Sequence, residues 1–197
     1  MRAATRREFV QGPAGRIECA VDEPAASARG IALVAHPHPL FGGTLDNKVA
    51  QTLARAFVDL GYTTWRPNFR GVGGTDGVHD GGRGEVDDLA AVLDHLQAER
   101  PVLAGFSFGA AVQACLAARV PSERLVLVGV AVTNLEVPAV PAGTLVIHGE
   151  LDETVPLAAV LDWARPQELG VLVLPGADHF FHRRLPALRI AVTSNWK

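Results

Sequence analysis

Short apolar runs alternate along most of the chain with segments in which apolar residues recur every three or four positions. The short runs have the length and composition of buried strands, and they cover residues 31–36, 62–66, 101–104, 124–131, 144–148 and 171–174. Helical spacing is found between them, at residues 47–60, 85–97, 108–119 and 156–164, and a last helix is expected after Arg183. The chain opens with a predicted antiparallel hairpin, formed by residues 8–11 and 16–21 around a Gly-Pro-Ala-Gly turn.

Strands that alternate with helices indicate a mainly parallel, twisted sheet that carries helices on both faces. The sequence therefore predicts the α/β class, with residues 1–197 forming a single domain. In such sheets the functional residues gather where the parallel strands have their carboxyl ends. The residues that directly follow each predicted strand are consequently the first place to look for chemistry.

Composition narrows the possible functions. Of the 197 residues, 48% are hydrophobic and 20% are charged, as expected for a folded domain. Lys and Arg number 18 against 21 Asp and Glu, so there is no basic excess and we expect no nucleic-acid partner. The apolar runs are too short to span a bilayer and no signal peptide is recognised, so we expect no membrane partner and a cytoplasmic location. Cys19 and Cys115 lie far apart and are expected to be reduced core residues.

The strongest candidate for chemistry is Ser107, in the sequence Gly-Phe-Ser-Phe-Gly at residues 105–109. This is a G-x-S-x-G pattern between a predicted strand and a predicted helix, the context in which it forms a nucleophile elbow. The flanking glycines are needed because a serine on so tight a turn leaves no space for neighbouring side chains. The turn also places the serine Oγ at the amino end of a helix, whose dipole favours negative charge. Ser107 is therefore predicted to be a nucleophile.

A nucleophilic serine requires a histidine base and a carboxylate that orients it, expected here in the chain order Ser, Asp or Glu, His. The strand at 144–148 is followed by Asp152, and the strand at 171–174 by His179. Glu150 is the alternative acid, and Asp152 is preferred because it lies farther beyond the strand end. His179 is preferred as the base over two other histidines: His148 is expected to be structural, and His182 is expected to be exposed on a helix.

The loop after the first parallel strand, His-Pro-His-Pro at residues 36–39, is predicted to complete an oxyanion hole. One backbone N–H would come from Phe108 and the second from this loop. Because proline has no N–H, His38 is the first choice and Leu40 the second. The competing interpretation is that His36 and His38 form a metal pair. That pair would need a (β/α)₈ barrel and further ligands, so no metal site is predicted.

Together these segments resemble the α/β-hydrolase superfamily, and more narrowly its small bacterial carboxylesterases related to dienelactone hydrolases. The resemblance extends from about residue 30 to residue 182 and includes the His-Pro-His-Pro run, Asn-Phe-Arg-Gly at 68–71, the elbow, His-Gly at 148–149 and Gly-Ala-Asp-His-Phe-Phe at 176–181. It implies the α/β-hydrolase fold and no cofactor. Dienelactone hydrolases use a cysteine where this chain has Ser107. The stretch between Ser107 and Asp152 is filled by one predicted helix and two strands, so no lid domain is expected.

The expected function is hydrolysis of a small-molecule ester with a short acyl chain, through an acyl-enzyme. The predicted substrate-binding residues are apolar side chains near the strand ends: Leu40, Phe41, Phe106 and Phe180. Thioesters, amides and peroxyacids remain alternative substrates for the same residues, and a non-catalytic binding module is an alternative from another class. Whether the protein is a monomer or a dimer is left open.

Overall fold

The computed structural model describes residues 5–133 and 135–196 of the chain. Its strands are β1 Arg6–Gly12, β2 Gly15–Asp22, β3 Gly30–Ala35, β4 Tyr62–Pro67, β5 Val102–Phe106, β6 Arg124–Val128, β7 Leu145–Gly149 and β8 Val171–Leu174. The helices are α1 Lys48–Asp59, α2 Arg83–His95, α3 Phe108–Ala117, α4 Leu157–Ala164 and α5 Leu185–Ser194. Short 3₁₀ turns occur at Pro39–Phe41 and Arg165–Gln167.

The strands form one eight-stranded sheet in the order β1-β2-β4-β3-β5-β6-β7-β8. β1 and β2 make the N-terminal hairpin, and β2 pairs antiparallel with β4. From β4 to β8 all neighbouring strands are parallel. The predicted fold class, a mainly parallel sheet with an antiparallel hairpin at its start, is therefore confirmed.

The register of the sheet brings the candidate loops together in two pairs. Ala35 at the end of β3 is opposite Gly105 on β5, so the His-Pro-His-Pro loop begins beside the elbow. Gly149 at the end of β7 is opposite Leu174 at the end of β8, so the loops that carry Asp152 and His179 are also neighbours. This arrangement follows from parallel pairing, since the carboxyl ends of such strands lie at one edge of the sheet.

Alternating side chains of the central strands serve two separate core layers. Leu33 and Ala35 of β3 pack with residues of α2 and α3, whereas Ala32 and Val34 pack with α1 and α5. All four side chains are fully buried. Strands buried on both faces read as continuous apolar runs, which is why the sequence predicted them without an alternating pattern.

Element boundaries differ from the prediction where a glycine or a loop contact intervenes. The strand predicted at 124–131 ends at Val128, because Gly129 takes a left-handed conformation with φ of +54° and the chain turns. Helix α2 begins at Arg83, two residues before the predicted start at Glu85. The side chain of Glu85 turns back and accepts a hydrogen bond from the N–H of Gly82 (2.9 Å), which stabilises an additional half-turn.

Two expectations from composition concern the cysteines and the membrane. Cys19 is buried and Cys115 half-buried, and both are free thiols. Burial raises the pKa of Cys19 to about 12, as expected for an unreactive core thiol. None of the helices in the described ranges is both long and apolar enough to cross a membrane.

Candidate active site

Ser107 occupies a strained turn between β5 and α3. Its φ of +56° and ψ of −118° lie outside the regions that a non-glycine residue normally adopts. Backbone hydrogen bonds hold this conformation: the Ser107 N–H donates to the carbonyl of Val128 (2.9 Å), and its own carbonyl accepts from Ala110 (3.0 Å) and Ala131 (3.3 Å). The side chain is consequently fixed at the amino end of α3, with 8% of its surface exposed.

The two glycines of the pattern are required by close backbone approaches. A Cβ on Gly105 would overlap the carbonyl oxygen of Gly109, and a Cβ on Gly109 would overlap the carbonyl oxygens of Ala35 and His36. Gly109 therefore allows α3 to pack directly on the end of β3. The structure supports the physical reason for which the sequence analysis singled out these glycines.

Ser107, His179 and Asp152 form a continuous hydrogen-bond chain. His179 Nε2 is 3.0 Å from Ser107 Oγ, and His179 Nδ1 is 2.7 Å from Asp152 Oδ2. The three side chains are buried, with 5% of His179 and 6% of Asp152 exposed. The structure thus brings together the three residues that the sequence analysis selected, although they are distant along the chain.

The carboxylate of Asp152 is surrounded by hydrogen-bond donors. Its Oδ1 accepts from the backbone N–H groups of Thr154 (2.9 Å) and Val155 (2.7 Å). Its Oδ2 faces His179 Nδ1 and also lies 3.5 Å from His148 Nε2. Because the backbone donors hold an ionised carboxylate, His179 is expected to carry its proton on Nδ1 and to present Nε2 to Ser107 as an acceptor.

The alternative acid and histidines make other contacts. Glu150 accepts a hydrogen bond from the N–H of Gly176 (2.8 Å) at the protein surface. His148 is fully buried, and its Nε2 lies 2.9 Å from the carbonyl of Val155; burial lowers its pKa. His182 is exposed and pairs with Asp178 (2.7 Å), but it lies in the turn before α5 rather than on a helix.

Phe108 and His38 line one cavity with Ser107, and the backbone N–H groups of both residues remain available for an oxyanion. Phe108 is the first residue of α3, so its N–H has no partner within the helix. In the first loop, the Leu40 N–H donates to the Nδ1 of His38 (3.3 Å), which removes Leu40 from consideration. The His38 N–H has no acceptor among the described residues, and His38 lines the same cavity as Ser107 and Phe108.

The geometry of His36 and His38 does not fit a metal pair. His36 is fully buried, its Nε2 accepts from the N–H of Phe69 (2.9 Å), and its Nδ1 is 2.7 Å from the carbonyl of Pro37. Both ring nitrogens are therefore used within the protein. Across the described ranges, no cluster of three His, Cys, Asp or Glu side chains is placed to hold a metal ion.

A cavity of about 220 Å³ opens beside Ser107. Its lining residues come from four loops and the start of α3, namely His38, Phe41, His79, Gly81, Ser107, Phe108, Ala131, Leu135 and Thr154. Of the predicted substrate-binding residues, Phe41 lines this cavity. A second cavity of about 240 Å³ shares Gly81 and Leu135 with it and is otherwise walled mainly by α2 and α3.

Three predicted substrate-binding residues lie elsewhere. Phe106 is fully buried, and its ring packs 4.9 Å from that of His179, so it supports the base instead of lining the cavity. Leu40 is 70% exposed and does not line the cavity. Phe180 packs edge-on against the His179 ring at 5.1 Å and borders a separate groove between the loops that follow β7 and β8.

Sequence reasoning missed His79 and Leu135 as lining residues. Neither follows a strand directly, and neither belongs to a spacing pattern that indicates a site. The glycine-rich segment at residues 71–77 does not line the cavity and packs against the hairpin: the N–H of Gly74 donates to Glu18 and that of Asp76 to the carbonyl of Arg16.

Comparison with known proteins agrees with this geometry. The family model for the alpha/beta hydrolase fold matches residues 38–142. A serine hydrolase without a lid from Xanthomonas campestris is 37% identical, with a TM-score of 0.92 over 98% of this chain and 94% of that one. An alpha-beta serine hydrolase homologue from Coxiella burnetii is also 37% identical, with a TM-score of 0.87 over 98% and 97%. An uncharacterized protein of Rickettsia prowazekii is 35% identical over 88% of this chain and 81% of its own. The chain belongs to the alpha/beta hydrolase fold family, and the solved structures similar to it include a bacterial serine hydrolase without a lid.

Proposed function

We propose that this protein hydrolyses short-chain carboxylic esters through an acyl-enzyme formed on Ser107. The observation that supports it most strongly is the hydrogen-bond chain from Ser107 Oγ through His179 to Asp152, with distances of 3.0 Å and 2.7 Å. A binding protein would have no need for this chain of three buried polar side chains beneath a cavity.

In the first half of the reaction, Ser107 Oγ attacks the acyl carbon while His179 Nε2 takes the hydroxyl proton. Asp152 holds the His179 ring in the tautomer that accepts at Nε2 and stabilises the imidazolium that results. The N–H groups of Phe108 and His38 donate to the carbonyl oxygen as it becomes negative. When the tetrahedral intermediate collapses, His179 returns the proton to the leaving alcohol.

In the second half, a water molecule takes the place of the alcohol. His179 accepts its proton, the hydroxide attacks the acyl carbon, and a second tetrahedral intermediate forms in the same oxyanion hole. Collapse releases the carboxylic acid and returns the proton to Ser107. All of these steps use side chains and backbone groups of the chain itself, and none needs a metal or an organic cofactor.

A preference for short acyl chains follows from the size of the cavity. At about 220 Å³ it is smaller than most sites that bind drug-sized ligands, for which about 300–1,000 Å³ is usual. Its apolar walls include Phe41, Phe108, Ala131 and Leu135, which can surround a few carbon atoms. Each buried methylene of the acyl chain contributes roughly 0.8 kcal/mol to binding. Methylenes that cannot pass the wall at Leu135 are not buried, so longer acyl chains should gain no further binding energy.

The test is a panel of p-nitrophenyl esters of increasing acyl length, assayed beside the matching anilides and thioesters. We expect kcat/KM to be highest for short esters, with all ester hydrolysis lost in Ser107→Ala. A variant that replaces an exposed residue, His95→Ala on α2, serves as the control. Higher kcat/KM on thioesters or anilides than on every ester would contradict the ester assignment, and activity retained by Ser107→Ala would contradict the mechanism.

A further inference from the structure

A second histidine–carboxylate pair, His79 and Glu85, lies beside the Ser107 cavity and takes no part in the proposed proton transfers. The ring of His79 lines the same cavity as Ser107. Its Nδ1 is 2.7 Å from Oε1 of Glu85, a residue of α2 whose side chain is fully buried. A buried carboxylate beneath a cavity-lining histidine fixes the orientation of the ring.

The partners of Glu85 determine which nitrogen of His79 carries the proton. The carboxylate also accepts hydrogen bonds from the N–H groups of Asp80 (3.0 Å) and Gly82 (2.9 Å). Because Glu85 is the acceptor for these donors, it also accepts a hydrogen bond from Nδ1 of His79, which therefore carries the proton of the neutral ring. The Nε2 of His79 has no partner among the described residues, and in the neutral ring it is a hydrogen-bond acceptor.

His38 supplies the complementary group. Its ring lies 4.8 Å from that of His79, between centroids, and lines the same cavity. Its Nδ1 accepts the N–H of Leu40, so the neutral ring carries its proton on Nε2 and can donate it. Burial and, to a smaller degree, the neighbouring His79 lower the pKa of His38, which favours this neutral form against the opposing effect of Glu85.

We propose that His79 and His38 form a specificity site for a hydroxyl group carried by the ester substrate. A hydroxyl can donate to Nε2 of His79 and accept from Nε2 of His38, so both nitrogens are satisfied by one neutral group. A carboxylate has no proton for His79 and would face the buried charge of Glu85. An alkyl group would keep water away from both nitrogens and would make no hydrogen bond to either of them.

This inference rests on the proposed ester hydrolysis and names a substrate class for it. The hydroxyl could be on the acyl chain or on the alcohol, and two matched pairs of esters distinguish these positions. For the acyl side we would compare ethyl 3-hydroxybutyrate with ethyl 3-methylbutyrate, and for the alcohol side 2-hydroxyethyl butyrate with propyl butyrate. In each pair a hydroxyl replaces a methyl group of similar size.

The variant that tests the site is His79→Asn. The amide nitrogen of asparagine can replace Nδ1 as the donor to Glu85, while nothing replaces Nε2. We expect the wild type to favour the hydroxyl-bearing member of one pair by about fivefold to a hundredfold in kcat/KM, as two additional hydrogen bonds allow. In His79→Asn this ratio should fall by about threefold to tenfold, because only the hydrogen bond to His38 remains, whereas the exposed-site control His95→Asn should keep the wild-type ratio.

The outcomes that overturn the inference are distinct from those that overturn the proposed function. If the wild type hydrolyses both members of each pair equally while a fluorophosphonate labels Ser107, the specificity site is refuted and the hydrolase mechanism stands. A hydroxyl preference that is undiminished in His79→Asn, with or without a lower Tm, would show that His79 only orders its loop. If none of the four esters is hydrolysed and Ser107 is not labelled, both proposals are wrong.

Discussion

Mild acid should destabilise this protein through His36, a histidine that the fold buries completely beneath the first loop of the active site. Its Nε2 accepts the N–H of Phe69, and its Nδ1 faces the carbonyl of Pro37. Burial lowers its pKa from 6.5 to about 4, although the hydrogen bond to Pro37 acts in the opposite direction. A second proton would charge the buried ring and remove the acceptor that Phe69 requires.

The direction of the effect follows from proton binding in the two states. Between pH 6.5 and about pH 4 the unfolded chain holds a proton on this ring and the folded protein does not, so the free energy of unfolding decreases as the pH falls. The contribution is complete above pH 6.5 and is lost towards pH 4. At about 1.4 kcal/mol per pH unit, the whole window corresponds to about 3 kcal/mol, of which about 2 kcal/mol is lost by pH 5.

Urea denaturation followed by tryptophan fluorescence, at about pH 7 and about pH 5, measures this loss. Other groups titrate in the same range, so the comparison is between the wild type and His36→Gln, which has no ring to protonate. The variant should be less stable at pH 7, and its deficit should shrink by about 2 kcal/mol at pH 5. The control Val78→Ala, at an exposed position without a titratable group, should show a constant difference. A deficit of His36→Gln that is the same at both pH values would refute the reasoning.

Three further results are expected from the proposed chemistry. Ser107→Ala and His179→Ala should each lower kcat by about 10³-fold or more with unchanged circular dichroism, and Asp152→Asn should lower it by less. The residues act as one unit, so a double variant of Ser107 and His179 that is much slower than either single variant would contradict their shared role. In a series of esters from acetate to palmitate, acyl chains of about two to six carbons should be preferred, and the rate should not rise at the critical micelle concentration of the substrate. Leu135→Ala should shift the optimum to longer acyl chains by opening the neighbouring cavity. A maximum at palmitate in the wild type would show that the wall at Leu135 is not a barrier. Incubation with EDTA should leave kcat/KM unchanged, and loss of activity that zinc restores would favour the metal interpretation of the first loop.

The sheet and the positions of Ser107, Asp152 and His179 could be predicted because both depend on local signals. Buried parallel strands appear as apolar runs, and each candidate residue follows the end of such a run. Once the strands are parallel, their carboxyl ends must share an edge, so the loops after β5, β7 and β8 are brought together without any knowledge of loop structure. The preference for Asp152 over Glu150 depended on spacing along the chain, and Asp152 is the one that contacts His179.

Only part of the cavity wall could be predicted, because the direction of a side chain in a loop depends on contacts that are distant in sequence. Phe106 lies next to Ser107 in the chain, but the turn at the elbow sends its ring into the core beneath His179. His79 lines the cavity because Glu85 holds its ring. In the sequence, however, an acidic residue in the first turn of a helix is already explained by the helix dipole, so Glu85 does not point to a partner. Such pairings are visible only in three dimensions.

The central claim is that Ser107 is the nucleophile of an acyl-enzyme, and covalent labelling tests it most directly. Folded protein would be treated with a fluorophosphonate, and the adduct would be located by mass spectrometry of the intact chain and of its peptides. The account predicts one adduct per chain on Ser107, loss of ester hydrolysis in proportion to labelling, and no adduct on Ser107→Ala. Folded protein that hydrolyses esters while Ser107 remains unlabelled, or while the label is on another residue, would contradict it.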